Sequence, residues 1–232
     1  MNLSQYNRVL AFFAHPDDET LAAGATISKL IRYGAEVHVA IPATVLHSRR
    51  NAESEKERKN NFKILREDCV KAMSVLGVVS ENIYLGEFPD NELDKYSLLE
   101  LVHWLQAIIN RVKPDLLITH HRFCTNIDHQ YCHEAAVVAT RPSLDERITV
   151  LSAEVPSSTG YLKPTQWEPN FYVDISAEEL EKKVEAMESY TGESRPDPHP
   201  RSGEVLRALA KVRGSEAGCY FAESFMIMRA YG

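Results

Sequence analysis

No apolar run in the sequence approaches the ~20 residues that a membrane-spanning helix requires. The first residues, MNLSQYNRVLAFF, also lack the basic leader and the small-residue cleavage site of a secretory signal peptide. Without a spanning segment and without a leader, we expect a protein that has no membrane span and works in the cytoplasm.

Cysteine is scarce, and no C-x-x-C pair occurs, so the sequence lacks the spacing of a zinc ribbon or a redox motif. In a cytoplasmic chain, scattered cysteines are expected to be thiols rather than disulfides. Cys124 and Cys132 bracket a segment rich in His and Asp, so a soft-metal site is an alternative, although harder ligands lie close by. The four cysteines are Cys69, Cys124, Cys132 and Cys219.

Several functional motifs are absent. No phosphate-binding loop and no G-x-G-x-x-G follows the first predicted strand, which argues against kinases and dehydrogenases. Ser157 and Ser158 lack the G-x-S-x-G elbow of serine hydrolases. The formal charge is −7, and there is no dense basic cluster apart from the mixed run at 49–63. Nucleic acid is therefore not expected as a partner.

The composition is that of a globular protein, with 232 residues, 44% of them hydrophobic and 25% charged. Apolar strand patterns alternate with helical ones, which predicts the α/β class with a mainly parallel sheet and helices on both faces. We predict strands at 8–13, 36–41, 82–85, 116–119, 149–155, 171–175 and 223–228, and helices at 21–33, 59–76, 98–112, 130–139, 177–190 and 203–213.

The stretch VLAFFAHPDDETLAAG (9–24) is the most informative part of the sequence. A buried strand runs into a helix there, and His15, Asp17, Asp18 and Glu19 fill the turn. Adjacent carboxylates repel one another and lose solvation beside an apolar strand, and a divalent cation would remove both penalties. Capping of the following helix would explain one acid but hardly three acids together with a histidine.

A second dense group of His and Asp follows the strand at 116–119 and contains Asp128 and His129. Parallel strands end at one edge of a sheet, so this group can meet His15 and Asp18. Two histidines and one carboxylate with an open position form the composition of a catalytic zinc site. Asp17 would then remain free as the general base, and Asp128 could fix the tautomer of a ligand imidazole.

Three other histidines are rival ligands. His120 and His121 are adjacent in extended backbone, so their rings point to opposite faces, and one can line the pocket while the other packs. His133 lies one turn after His129 on the same helix face, where a supporting or core role is favoured over a ligand role.

Four segments in order resemble the PIG-L/LmbE-like deacetylase superfamily: AHPDDE (14–19), LGEFPDNEL (85–93), KPDLLITHH (113–121) and N-x-D-H (126–129). Weaker matches in EVPSSTGY, PNFYVDIS, HPRS and RGSEAGCYFAESF resemble members found among bacterial surface-polysaccharide genes. The resemblance implies one Rossmann-like domain over 1–232. Residues 1–140 would form the motif-bearing core, and 141–232 would complete the fold and the substrate pocket.

The resemblance also implies that His15, Asp18 and His129 bind one Zn²⁺ per chain, with Asp17 as base and Asp128 as its companion. Many members have His where this chain has Asn126. The role of that His in stabilising the oxyanion or protonating the amine must therefore pass to Asn126 or to another group, such as His199 or His121.

Three residues are candidate substrate contacts. Asp90 lies in a loop at a strand end, and Arg49 lies in a segment whose simpler interpretation is a solvated loop. Arg141 could anchor a hydroxyl or a phosphate, or it could be a cation at a helix C-terminus.

The resulting functional expectation is a zinc-dependent hydrolase that removes the acetyl group from an N-acetylated amino sugar, either free or linked to a nucleotide or lipid. The alternatives are a metal-holding carbohydrate-binding protein without turnover and a zinc amidase acting on a non-sugar amide. Related folds often assemble as trimers or hexamers, so a homo-oligomer is compatible with this expectation.

Overall fold

The computed structural model describes residues 2–45, 55–144, 147–161 and 166–231, with side chains from residue 62 onward in the helix that begins at 55. The strands are β1 Arg8–Phe12, β2 Glu36–Val45, β3 Ile83–Pro89, β4 Leu116–His120, β5 Thr149–Ala153, β6 Phe171–Asp174 and β7 Ala222–Arg229. The helices are α1 Asp18–Arg32, α2 Glu55–Leu76, α3 Leu98–Val112, α4 Ile127–Ala139, α5 Ala177–Ser189 and α6 Gly203–Ala217.

All seven strands belong to one mixed sheet in the order β3-β2-β1-β4-β5-β7-β6. The first five are parallel, and β7 runs antiparallel to both of its neighbours, β5 and β6. The chain moves in one direction from β1 to β3 and then crosses to β4 on the other side of β1. The switch point lies between β1 and β4, where open α/β sheets bind ligands.

Helices cover both faces of the sheet, and the central strand β1 illustrates why. Val9 and Ala11 point into the core cluster that includes residues of α1, α2 and α5. Leu10 and Phe12 point into the cluster formed with α3 and α4. All four side chains are fully buried, as expected for a parallel strand packed on two sides. The predicted fold class is confirmed.

Helices α1 and α4 begin earlier than the apolar pattern predicts, because the site residues themselves form the first helical turns. Helix α1 starts at Asp18 rather than at residue 21, and α4 starts at Ile127 rather than at residue 130. Asn126 caps α4, since its Oδ1 accepts the backbone N–H of Asp128 at 2.8 Å. Strand β3 continues to Pro89, into the segment that the turn residues suggested was a loop.

Helix α5 begins with a capping box, in which Ser176 and Glu179 bond reciprocally. Among the residues that the structure describes, no helix combines the length and the apolar character needed to cross a membrane.

Candidate metal centre and active site

The turn after β1 brings the first donors together. The carboxylate oxygen Asp18 Oδ2 accepts the backbone N–H of His15 at 3.0 Å and lies 3.2 Å from Nδ1 of the same histidine. His129, in the first turn of α4, places its Nε2 3.1 Å from the same oxygen. His15, Asp18 and His129 offer ligand atoms that all lie within 4.8 Å of one another. Side chains more than a hundred residues apart therefore meet at one edge of the sheet.

The ring nitrogens that point away from Asp18 are held by other groups. His15 Nε2 lies 2.9 Å from Asp128 Oδ2, and Asp128 in turn accepts the backbone N–H groups of Asn91 and Leu93. His129 Nδ1 lies 3.1 Å from the hydroxyl of Ser158. Metal-binding histidines are oriented in this way, with the far nitrogen fixed by a carboxylate or another polar group. The donor set fits a divalent cation.

The electrostatics of this cluster also favour positive charge. Burial alone would lower the pKa of His15, but its hydrogen bonds with Asp128 and Asp18 raise that pKa to about 10. Burial would raise the pKa of Asp18, yet His129 and His15 hold it well below its usual range. The centre therefore keeps a carboxylate ionised although it is almost fully buried.

A second group of donors, His120, Cys124 and His129, also lies within 4.8 Å. The rings of His120 and His129 are stacked, with centroids 3.8 Å apart and an interplanar angle of 18°, so their in-plane lone pairs run parallel instead of converging. His120 Nε2 accepts the backbone N–H of Ala14 at 2.8 Å. Burial raises the pKa of the Cys124 thiol to about 11, which disfavours the thiolate that a soft metal needs.

Asp17 lies beside this donor set on the wall of the cavity. It is 2% exposed, and its backbone φ is 117°, which L-residues rarely adopt. It occupies the N-cap position of α1 without making a side-chain capping bond. Helix capping therefore does not explain this carboxylate.

Arg201 approaches the carboxylate of Asp17 and is not among the site residues that the sequence predicts. Its Nη1 lies 3.2 Å from Asp17 Oδ2 and 2.5 Å from Glu193 Oε2. Burial raises the pKa of Asp17 well above its usual value, and the guanidinium of Arg201 opposes that shift. The polar segment around HPRS drew attention to His199, but nothing in its sequence indicated which side chain reaches the buried acid.

A cavity of about 570 Å³ opens over these residues. Three residues predicted for substrate or catalysis line it, namely Asp90, Asn126 and His199, together with the proposed ligands and Asp17. Asn126 donates from Nδ2 to Asn91 Oδ1 at 3.1 Å while its own oxygen caps α4. His199 Nδ1 accepts the backbone N–H of Arg201 at 3.1 Å.

Other candidates lie elsewhere. Arg141 does not line the cavity, because α4 begins at the site and carries this residue roughly 18 Å away, to its C-terminal end. Its suggested substrate contact is therefore not supported, whereas its position fits that of a cation at a helix C-terminus. Arg49 lies outside the described residues.

Of the rival histidines, His121 packs edge-on against Trp167 and does not line the cavity. His133 points its Nδ1 at the carbonyl of His120, 2.9 Å away. Both rings support neighbouring structure, and neither one belongs to the two donor groups found among the described residues.

The chain is similar to a protein family and to a characterised deacetylase. Residues 10–140, more than half of the chain, match the family described as "PIG-L: GlcNAc-PI de-N-acetylase". A 1D-myo-inositol 2-acetamido-2-deoxy-alpha-D-glucopyranoside deacetylase from Thermomonospora curvata is 27% identical over 166 residues, which cover 60% of this chain and 54% of that protein. The chain therefore spans about half the length of this relative.

Two solved structures share the fold. The N,N'-diacetylchitobiose deacetylase from Pyrococcus horikoshii superposes with a TM-score of 0.78 at 23% identity, over 97% of this chain and 85% of that one. GalB, the 4-carboxy-2-hydroxymuconate hydratase from Pseudomonas putida KT2440, gives 0.73 at 19% identity, over 97% and 98%. The names of these two proteins state different reactions, so the fold alone does not select the chemistry.

Proposed function

Because the chain belongs to the PIG-L family, as the match over residues 10–140 shows, we propose that it is a metal-dependent hydrolase that removes the acetyl group from an N-acetylated amino sugar. The observation that carries this proposal is the grouping of two imidazoles, one ionised carboxylate and a second, separate carboxylate on one cavity wall. Metal-dependent amide hydrolysis uses a Lewis acid and a base, and this arrangement provides for both.

His15, Asp18 and His129 would hold the metal, and we propose one Zn²⁺ per chain because two histidines and one carboxylate match the ligand composition of catalytic zinc sites. When bound, the ion supplies Lewis acidity towards water and towards an amide carbonyl. Asp128 keeps His15 in the required orientation through its 2.9 Å contact.

Asp17 is proposed as the general base that takes up a proton from the attacking water. Its carboxylate lines the same cavity as the proposed metal ligands but does not belong to that donor group. A base next to the centre but not engaged by the ion retains the lone pair that it needs for proton transfer.

Asn126 cannot supply a proton to the leaving amine, because an amide does not titrate. We assign that step to His199, which lines the cavity. In that step its imidazolium would give one proton to the amine and return to the neutral ring. Burial and the neighbouring Arg201 and Arg195 lower the pKa of His199, so this donor form is favoured at lower pH. Asn126 and Asp90 are then left as polar groups that can bind sugar hydroxyls.

We also propose that the protein works in the cytoplasm and that residues 1–232 form a single domain. The cysteines are free thiols, which fits the reducing cytoplasm. One sheet includes strands from both 1–140 and 141–232, which supports a single domain.

The test is an acetate-release assay on a panel of N-acetylated amino sugars and non-sugar amides, with wild type, Asp17→Asn and His199→Ala at equal metal content. Wild type should release acetate from at least one amino sugar. Asp17→Asn should lose at least ~100-fold in turnover because the amide of Asn cannot take up a proton from the attacking water. His199→Ala should lose turnover and retain metal, and an unaffected rate in this variant would contradict the assignment of His199. If wild type releases acetate only from non-sugar amides, the substrate is a non-sugar amide and not an amino sugar.

A further inference from the structure

Glu19 is a buried acid for which the sequence suggested only a place at the start of a helix. Its side chain is fully buried, and its carboxylate accepts three hydrogen bonds. One of them comes from the backbone N–H of Asp17, at 3.1 Å from Glu19 Oε2. The Glu19 side chain therefore contacts the backbone of the proposed base, Asp17, and Glu19 does not line the cavity.

The backbone of Asp17 needs such support. A φ of 117° is uncommon for a residue with a side chain, and it persists only where the surroundings impose it. The turn must bring His15 and Asp18 to one point while it directs the Asp17 carboxylate to the cavity. The bond from the Asp17 N–H to Glu19 holds the middle of this turn.

Glu19 is itself fixed by a residue that is distant in sequence. Its Oε1 accepts the hydroxyl of Tyr190 at 2.5 Å, across 171 positions, and the hydroxyl of Thr20 at 2.7 Å. Thr20 is the next residue in the chain after Glu19, so its bond does not tie Glu19 to a distant element. Tyr190 follows α5 and is fully buried in the main core cluster. Burial raises the pKa of the Tyr190 hydroxyl well above its usual value, so this group remains a donor over the working pH range.

We propose that Glu19 and Tyr190 are positioning residues that hold Asp17 in its uncommon backbone conformation and so keep its carboxylate aligned for proton transfer. The inference rests on the proposed role of Asp17 as base. The simpler interpretation is that the Glu19–Tyr190 bond only stabilises the core. Both interpretations expect a loss of stability when the bond is removed, but only positioning expects slower turnover in the folded, metal-loaded enzyme.

The test is Tyr190→Phe, which removes the hydroxyl and keeps the ring. We expect kcat to fall by about tenfold or more, KM to change by less than about twofold, and metal content to stay equal. The Asp17 amide should exchange its hydrogen faster than in wild type, relative to the amides of α1, and this readout needs no turnover. Thr20→Val removes the second donor to the same oxygen and should act in the same direction. It replaces Tyr190→Phe in the test if that variant folds poorly.

The matched control is Tyr6→Phe. The Tyr6 hydroxyl donates to Thr149 Oγ1 at 3.3 Å in the same core cluster, but at the amino end of the sheet, opposite the site. This variant should lose stability and keep both kcat and the exchange of the Asp17 amide. Tyr190→Phe with unchanged kcat, or with unchanged exchange at Asp17, would overturn the inference. If wild type releases no acetate from any substrate, the proposed function fails, and the exchange comparison still decides whether these residues hold Asp17.

Discussion

Arg201 and Asp17 form the ion pair that most directly controls the proposed chemistry at the scale of single residues. The carboxylate is almost fully buried, which favours its neutral form, and the guanidinium 3.2 Å away favours the charged form. A general base must be ionised to accept a proton. Arg201 thus keeps Asp17 usable at a pH where burial alone would protonate it.

Arg201→Gln should therefore move the acid limb of the kcat/KM profile to higher pH. Loss of the positive charge raises the pKa of Asp17, so ionised base is present only at more alkaline pH, by about one unit or more. The measurement is the pH dependence of kcat/KM on an N-acetylated substrate that the wild type hydrolyses. Arg207→Gln serves as control and should keep the wild-type acid limb, because Arg207 pairs with Glu181 on the exposed surface. An acid limb at the wild-type pH in Arg201→Gln would contradict this account.

At this scale, site residues are predictable from the sequence where several reactive side chains lie within a few positions. His15, Asp17 and Asp18 adjoin one strand and Asp128 adjoins His129, so strand order alone was enough to bring them together. Arg201 and Tyr190 could not be found this way. Their contacts with Asp17 and Glu19 depend on how distant segments pack, and neither residue belongs to a chemical pattern that local sequence can display.

At the scale of elements, β7 and α5 fix the helix that carries the site. Glu223 of β7 accepts the backbone N–H groups of Ala25 and Thr26, in the middle of α1, at 3.2 and 2.7 Å. Lys183 of α5 places its Nζ 2.5 Å from the same carboxylate, and both side chains are buried. A buried carboxylate without its cation is strongly unfavourable, so this contact couples three elements.

Lys183→Met should lower the free energy of unfolding by about 3–5 kcal/mol, because it leaves Glu223 as an uncompensated buried charge. The control is Lys182→Met, whose lysine forms an exposed pair with Glu178 and should cost less than about 1 kcal/mol. Denaturant unfolding of both variants measures the difference. Equal midpoints and slopes for the two variants would show that the buried pair does not couple these elements.

The predicted boundaries of helices are correct where apolar periodicity marks them. They differ from the observed boundaries where polar residues of the candidate site form the first turn. Helix α3 has the predicted limits, Leu98–Val112. Helices α1 and α4 begin three residues early, because polar residues that a hydrophobic pattern cannot register, Asp18 and Asp128, form their first turns.

At the scale of the whole molecule, alternating strand and helix patterns were enough to predict a mainly parallel sheet with two covered faces. The position of β7 between β5 and β6 was not predictable, because both pairings are antiparallel and bring together strands far apart in the chain. The order of the parallel strands places the candidate centre at the switch between β1 and β4. The fold thus explains where the candidate centre lies, and the residues there support the reaction that we propose.

The central claim, a metal-dependent amide hydrolase, is tested most directly by metal titration of acetate release. The protein is stripped with a chelator, reloaded with measured amounts of Zn²⁺, and assayed on an N-acetylated amino sugar that the wild type accepts. Activity should be absent without metal and should rise in proportion to bound zinc up to one equivalent per chain, as one set of His15, Asp18 and His129 predicts. Full acetate release from the metal-free protein would contradict the account.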